Sequence, residues 1–195
     1  MKTNNQAFSR KERFNAAIKR QWLRLRAGFL SDFGSDNAAC YAWKDVWVHE
    51  LVYLKLDDPR RADALINCAS HYIEARDKVS LEAALGLLGK AAALVKDQTS
   101  YFWISEQGRV LWYTGRAYAR LGQAAKALQC HLDAEKVFLK MDAPSQPRFH
   151  NLQDMSDAYS ALGMPLMAQD ARERAEACWA VIAAAHTRHP TMYGR

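Results

Sequence analysis

The sequence predicts an all-α fold in which about eight helices stack as antiparallel hairpins. Three observations support this prediction. Apolar residues recur at steps of three and four along most of the chain, as they do on one face of a helix. Glycine follows Leu121 and Leu162 at the end of two such patterns, and glycine is the usual residue just past the end of a helix. A group of residues also recurs at a constant offset along the chain.

The middle of the chain carries the clearest helix hairpin. An apolar stripe runs through residues 110 to 121, Gly122 follows, and a second stripe begins at Ala127. So short a connection makes the two helices antiparallel neighbours. Because Gly115 has no side chain, we expect the two backbones to approach closely there, and we expect His131 to be a core residue that points into the helix pair.

This hairpin pattern occurs a second time in the chain. Tyr118, Leu121, Gly122 and Ala127 are each matched 41 residues later, by Tyr159, Leu162, Gly163 and Ala168. The spacing resembles the tetratricopeptide repeat (TPR), whose signature places Trp, Leu-Gly, Tyr, Ala and Phe at these positions. Two residues differ from the signature, because Leu111 stands in place of Trp and His131 in place of Phe.

The resemblance covers residues 59 to 187 and implies a TPR-like solenoid. In such an array the first helix of each pair lines a concave groove that holds an extended peptide or a partner helix. We therefore expect residues 58 to 188 to form three TPR-like hairpins. Residues 1 to 57 would form a basic and aromatic helix pair that caps the array, and residues 189 to 195 a tail.

Capping residues predict where several helices begin. Ser9 and Glu12 fit a capping box at the start of the first helix. Asp58 before Pro59 fits the start of the third helix, with Asp as the cap. Ser80 is the predicted cap of the fourth helix.

Two further segments lie between the apolar patterns. Residues 28 to 37 contain glycine, serine and aspartate and are predicted to form a loop. Residues 101 to 104 are aromatic and aliphatic, and two interpretations stay open for them. They either lengthen the front of the central helix or pack as an aromatic plug above Gly108.

The positive charge of the chain is concentrated at its amino end. The whole chain has a formal charge of +6, but residues 1 to 30 carry eight Lys and Arg residues against Glu12 and so account for +7. One face of the predicted first helix is apolar and consists of Phe14, Ile18, Trp22, Leu25 and Phe29. The other side is basic and contains Arg13, Lys19, Arg20, Arg24 and Arg26. Such asymmetry indicates an anionic partner.

The basic first helix has three interpretations. It covers the open apolar end of the stack, which every solenoid must hide. It binds nucleic acid through phosphate contacts that are sensitive to salt and independent of sequence. Alternatively, it lies on an anionic membrane surface with Trp22 and Phe29 on its buried side. We favour the first interpretation, and nucleic acid is second.

A second candidate binding surface lies on the central helix. Arg109, Trp112, Arg116 and Arg120 are three, four and four residues apart, so three guanidinium groups flank one indole on a single helix face. Arginine pairs bidentately with carboxylates and phosphates, and tryptophan stacks on a peptide or a base. We predict that these four residues bind a partner. The alternative is a solvated charged face whose Trp112 is covered by the neighbouring hairpin.

These patterns predict a protein without catalytic activity that holds another molecule. No motif supplies a catalytic set, and no cofactor or metal site is predicted. The four cysteines lie far apart in the chain, which favours the reducing cytoplasm. We expect an adaptor, a chaperone or a regulatory subunit whose partner is a protein with an acidic or extended segment. The alternative is a nucleic-acid-associated regulator, and homo-oligomerisation stays open.

Overall fold

The computed structural model describes residues 10–33, 36–54 and 58–188, and eight α-helices account for most of them. In chain order the helices are α1 (Arg10–Phe33), α2 (Asp36–Tyr53), α3 (Arg61–Glu74), α4 (Lys78–Val95), α5 (Tyr101–Arg120), α6 (Ala124–Phe138), α7 (Gln146–Ala161) and α8 (Pro165–Arg188). The predicted all-α fold is confirmed. None of these helices combines the length and the apolar character that crossing a bilayer requires.

The helices pack in the order of a stack of hairpins. Each pair of consecutive helices is in contact, both within a hairpin and between one hairpin and the next. In addition, α5 packs against α3 on one side and α7 on the other. The first helices of the last three hairpins therefore lie side by side, and we call the surface that they share the odd-helix face. The alternate helices α4, α6 and α8 form the layer behind it.

Both predicted glycine turns have the same geometry. Gly122 and Gly163 adopt positive φ angles of 73° and 72°, which favour glycine because other side chains clash there. The amide that follows each glycine donates to a tyrosine carbonyl at the end of the preceding helix. The distance is 2.9 Å to Tyr118 in the first turn and 3.0 Å to Tyr159 in the second. These bonds form a Schellman motif at each turn, so the repeat in the sequence is also a repeat in the backbone.

A ring fills the space beside each of two glycines in α5. A Cβ atom on Gly115 would lie 2.6 Å from Cε1 of His131, and one on Gly108 would lie 2.4 Å from Cε1 of Phe138. The expected close approach at Gly115 is therefore present. His131 is fully buried, as predicted, and its Nδ1 lies 2.9 Å from Oδ1 of Asn151 on α7. Its Nε2 has no hydrogen-bond partner within the described residues.

Some predicted helix starts are wrong by two or three residues. Helix α4 begins at Lys78, and its cap is Asp77, whose Oδ1 accepts from the amide of Ser80 at 2.9 Å. The predicted cap Ser80 is thus the donor of this bond. Asp58 accepts from the amide of Arg60 at 3.0 Å, but α3 begins only at Arg61. The predicted cap Ser9 lies outside the described residues.

Two segments between apolar patterns belong to helices. Helix α1 continues through Gly28 to Phe33, so the predicted loop begins too early. The continuation is stabilised because Ala27 is buried and Nε1 of Trp43 donates to Oγ of Ser31 at 3.0 Å. Residues 101 to 104 lengthen the front of α5, which settles the alternative left open by the sequence. It is Phe138 on α6 that covers Gly108.

The apolar face of α1 does not cover the stack. Its five large residues are between 56 and 65 % exposed: Phe14, Ile18, Trp22, Leu25 and Phe29. The buried side of α1 instead consists of two alanines and one leucine, Ala16, Leu23 and Ala27. Leu23 and Ala27 belong to one cluster with Trp43 and Val46 of α2. Alanine lets two helices approach closely, which explains why this side forms the contact.

Candidate functional site

The predicted binding residues of α5 lie between α3 and α7. Arg109 reaches toward α3, Trp112 toward α7, and Arg116 lies between the two. Each of them is already hydrogen-bonded or ion-paired to a side chain of a neighbouring helix. Arg120 lies at the carboxyl end of the row. The structure therefore brings the four residues onto the odd-helix face together with several carboxylates that the sequence pattern did not include.

Arg109 is the most enclosed of the three arginines. Its Nη1 donates to Oε1 of Glu106 at 2.9 Å and to Oδ1 of Asp63 at 3.3 Å. Its Nη2 donates to Oδ1 of Asn67 at 2.9 Å. Only 18 % of its side chain is exposed. Because these three partners use most of the donors of the guanidinium, Arg109 holds α3 and α5 together and offers little to another molecule.

Trp112 is buried, so it does not present its ring to solvent. Its indole Nε1 donates to Oδ2 of Asp154 at 2.6 Å. The imidazole of His150 stacks on the indole at a centroid distance of 5.8 Å, and the guanidinium of Arg116 lies 5.7 Å from the ring centroid. The next hairpin covers Trp112, and this arrangement was the alternative to a role of Trp112 in partner binding. Direct stacking of this ring on a ligand does not fit the geometry.

Arg116 and Arg120 form the more accessible end of the row. Nη2 of Arg116 lies 2.7 Å from Oε1 of Glu74, and its Nε lies 3.7 Å from Oδ2 of Asp154. Arg120 approaches Oε2 of Glu74 only to 3.9 Å, and 36 % of its side chain is exposed. These pairs are partly exposed, and water weakens the attraction between partly exposed charges. These two arginines are therefore the ones that a carboxylate from outside can reach.

The odd-helix face is an alternation of charges and not a positive patch. Arg109, Arg116 and Arg120 lie among Asp63, Glu74, Glu106 and Asp154. Burial raises the pKa of Glu106, and the positive charge of Arg109 opposes that rise. Such a face recognises a partner by the arrangement of its charges more than by their sum.

The structure adds a pocket that sequence reasoning missed. A cavity of about 270 Å³ opens where α1, α2, α3 and α5 meet. Its charged and polar lining consists of Arg20, Gln21, Arg24, Glu50, Arg60 and Asp63, and its aromatic lining of Phe102 and Trp103. The sequence held a weak signal for this site in the aromatic run at residues 101 to 104. Nothing in the sequence indicated that Glu50 and Asp63 would lie beside α1.

Arg24 connects the first hairpin to the second beside this pocket. Its Nη2 lies 2.5 Å from Oε1 of Glu50, and its Nη1 is hydrogen-bonded to Asp63. Glu50 is completely buried, and burial raises its pKa while Arg24 opposes the rise. Asp63 also contacts Arg109, so one chain of ion pairs runs from α1 to α5.

The basic residues of α1 do not form one surface. Arg24 faces α2 and α3, and Arg20 lies at the pocket. Arg26 lies on a different side of the helix, 3.5 Å from Asp45 of α2, and Lys19 is exposed. The side chain of Arg13 lies outside the described part of the structure. Among the described residues, the predicted anion-binding set is therefore divided between the interior and two surfaces.

Comparison with known proteins identifies the fold. Two matching crystal structures from Podosopora anserina are described as kinesin light chain nearly identical TPR-like repeats. One is 18 % identical to this chain with a TM-score of 0.57, and the match covers 89 % of this chain and 79 % of the other. The second, a variant, is 18 % identical with a TM-score of 0.60 and covers 91 % and 79 %. The chain has a TPR-like helical repeat fold.

The sequence comparisons add nothing to this result. No family model matches the chain, and no curated protein matches its sequence.

Proposed function

We propose that the chain is a protein-interaction module without catalytic activity, which binds an extended acidic segment of a partner on the odd-helix face. It would act in the cytoplasm as an adaptor, a chaperone or a regulatory subunit. The observation that supports this proposal best is the row of ion pairs that crosses α3, α5 and α7 and is most exposed at Arg116 and Arg120. In a TPR-like array this is the side that forms the groove.

The carboxylates of the partner would bind at Arg116 and Arg120. A glutamate or aspartate from the partner would take the position that Glu74 holds in the free protein, while Asp154 keeps its hydrogen bond from Trp112. Glu74 is partly exposed and would turn to solvent at little cost in free energy. Arg109 is too enclosed to exchange its partners, so it would keep the groove in shape while the other two arginines bind.

An apolar side chain of the partner would enter the pocket at the amino end of the face. Phe102 is exposed there beside Trp103, and Arg20 also lines the pocket. An aromatic or aliphatic anchor in such a pocket contributes most of the affinity in many protein interfaces. We therefore expect a segment with one bulky apolar residue and, further along, two or more acidic residues.

The experiment is a selection from a peptide display library, followed by calorimetry with the selected peptide. We expect acidic peptides to be selected and the double variant Arg116→Gln and Arg120→Gln to bind them at least about tenfold more weakly, since two charged hydrogen bonds are lost. The matched control replaces two exposed lysines at the two ends of α4 in the same way, Lys78→Gln and Lys96→Gln, and should bind like the wild type. Equal affinity of the arginine variant would contradict the proposal.

The alternative function is binding to nucleic acid through α1. It is supported by the formal charge of +7 in residues 1 to 30 and by the exposure of Lys19. The pairing of Arg24 with Glu50 and Asp63 counts against it. The test is a salt titration of binding to duplex DNA. Binding that weakens steeply with salt and is lost in the variant Lys19→Ala and Arg20→Ala would support this alternative over the groove.

A further inference from the structure

The exposed apolar face of α1 is a second surface with no role in the groove. Phe14, Ile18, Trp22, Leu25 and Phe29 follow one another at steps of four, four, three and four residues. These steps keep all five on one side of the helix over about 22 Å. Soluble proteins rarely expose so many large apolar residues in a row unless the surface binds something.

This apolar face points away from the rest of the molecule. Ala16, Leu23 and Ala27 are buried on the opposite side of α1, toward α2. Among the described helices, only α2 has its backbone packed against α1. The apolar face is therefore on the side of α1 opposite to its contact with α2.

The charges beside the face are positive. Lys19 and Arg26 are exposed along one edge, and Glu12 is the only acidic residue among the first thirty. Asp45 of α2 lies 3.5 Å from Arg26 on this edge. A second copy of the chain would bring two segments of formal charge +7 together, which like-charge repulsion disfavours. The surface of an anionic membrane can pair with the basic residues of this edge and bury the apolar side chains at the same time.

The composition of the face fits a membrane surface. Five large side chains that are somewhat more than half exposed offer roughly 600 Å² of apolar surface. Aromatic and aliphatic residues on one side of a helix with lysine and arginine beside them are typical of helices that lie in the headgroup region of a bilayer.

We propose that α1 docks the protein on anionic lipid headgroups, with its apolar face inserted at the boundary between headgroups and acyl chains. Phosphate groups of the lipid would contact Lys19 and Arg26. The inserted side chains would be Phe14, Ile18, Trp22, Leu25 and Phe29. The odd-helix face is formed by other helices, so this surface is independent of the function proposed above.

The test measures sedimentation of the full chain with vesicles of phosphatidylcholine, with and without about 30 % phosphatidylglycerol. We expect binding to the anionic vesicles and at least about tenfold weaker binding to the neutral ones. The triple variant Ile18→Ser, Trp22→Ser and Leu25→Ser should lose at least about tenfold in binding to anionic vesicles. It should keep the circular dichroism spectrum of the wild type, because all three side chains are exposed.

A matched control removes three exposed apolar residues elsewhere, through Val79→Ser, Leu139→Ser and Val181→Ser. This variant should bind anionic vesicles like the wild type. The groove variant Arg116→Gln and Arg120→Gln should also bind anionic vesicles like the wild type. Failure of one proposal can therefore be distinguished from failure of the other. Equal binding of the α1 triple variant and the wild type would overturn the inference.

Three other outcomes would also overturn it. The first is no binding of the wild type to anionic vesicles. The second is a wild-type dimer that the α1 triple variant makes monomeric, without vesicle binding, which would assign the face to a second copy. The third is binding to duplex DNA in the absence of vesicle binding, which would assign the basic edge to nucleic acid.

Discussion

At the residue scale, two glycines of α5 determine how closely α6 packs against it. The imidazole of His131 lies where a side chain on Gly115 would be, and the ring of Phe138 lies where a side chain on Gly108 would be. Both contacts involve buried rings, which have no free volume into which to move. A single added methyl group in the middle of the hairpin should therefore be costly.

The variant Gly115→Ala tests this contact. A new Cβ atom would lie 2.6 Å from Cε1 of His131, and overpacking of this kind costs about 1 to 3 kcal/mol. We expect a net loss of about 1 to 2 kcal/mol in the free energy of unfolding, because alanine also favours the helix over glycine. The measurement is urea unfolding followed by circular dichroism.

A second glycine provides the control for this variant. Gly86 lies inside α4, and a Cβ atom there would have nothing within 4 Å. The variant Gly86→Ala should therefore stabilise the protein by about 0.5 to 1 kcal/mol. If both variants changed stability in the same direction, the contact between Gly115 and His131 would not be the cause.

The environment of His131 also predicts a pH dependence of stability. Burial lowers the pKa of His131, and its hydrogen bond to Asn151 only partly opposes this. Below its ordinary value of about 6.5 the unfolded chain binds a proton at this residue, and the folded protein does not. The contribution of His131 to stability is therefore present above that pH and is lost as the pH falls.

The variant His131→Gln isolates this contribution, since glutamine does not titrate. As the pH falls below about 6.5, the free energy of unfolding should fall more steeply in the wild type, by at most about 1.4 kcal/mol for each pH unit. Burial raises the pKa of Glu50 and Glu106, so these groups act in the opposite direction in both proteins. The difference between the two curves is the readout, and parallel curves would contradict the assignment.

At the element scale, the helix ends were predictable where one residue type fixes the backbone. Gly122 and Gly163 end their helices as the sequence indicated, because a positive φ angle nearly requires glycine. The start of α4 was harder to place. Asp77 and Ser80 are both good caps, and the sequence does not say which of them accepts the hydrogen bond and which donates it.

The two glycine turns should respond alike to substitution. An L residue held at a φ angle near 70° costs about 1 to 2 kcal/mol. We therefore expect Gly122→Ala and Gly163→Ala each to lower the free energy of unfolding by about 1 kcal/mol, less than the full cost because alanine also restricts the unfolded chain. The control is Gly89→Ala within α4, which should be neutral or stabilising. Unequal losses at the two turns would mean that the repeats are not equivalent.

Helix α1 shows what periodicity leaves undetermined. The pattern correctly places Phe14, Ile18, Trp22 and Leu25 on one face, but it does not say which face of the helix is covered. The contact with α2 is made by Leu23 and Ala27, on a side of α1 with fewer large apolar residues and therefore a weaker hydrophobic signal. Apolar periodicity shows which residues lie on the same face of a helix. Which face packs against a neighbouring helix depends on the shape of that neighbour.

At the scale of the whole molecule, ion pairs connect successive hairpins. Arg24 joins α1 to Glu50 of α2 and Asp63 of α3, and Asp63 continues to Arg109 of α5. Arg116 then lies between α3 and α7. These contacts cross from hairpin to hairpin, so they should fix the position of one hairpin relative to the next.

Removal of Arg24 should be more harmful than removal of an exposed arginine. The variant Arg24→Ala leaves the buried carboxylate of Glu50 without its cation. We expect a loss of about 3 kcal/mol, the low end for a buried pair because Arg24 keeps some contact with water. The variant Arg26→Ala breaks only the exposed pair with Asp45 and should cost less than about 1 kcal/mol. Unfolding in urea compares the two, and similar losses would mean that Arg24 is not structural.

The candidate site was predictable only in part. The spacing of Arg109, Trp112, Arg116 and Arg120 correctly places them on one face of α5. Their partners lie far away in the sequence, on α3 and α7, and no local pattern could connect Trp112 to Asp154 or Arg116 to Glu74. Because of these partners, the predicted cationic surface is an electrically balanced one.

The most direct test of the central proposal is site-specific photocrosslinking to a peptide that the protein selects. A photoreactive phenylalanine derivative would replace Phe102 or Asp157 on the first helices of the hairpins. In two other variants it would replace the exposed Leu139, which directly follows α6, or the exposed Val181 of α8. The proposal predicts crosslinks from the first two positions and none from Leu139 or Val181. Crosslinks from Leu139 and Val181 alone would show that partners bind the opposite side of the stack and would contradict it.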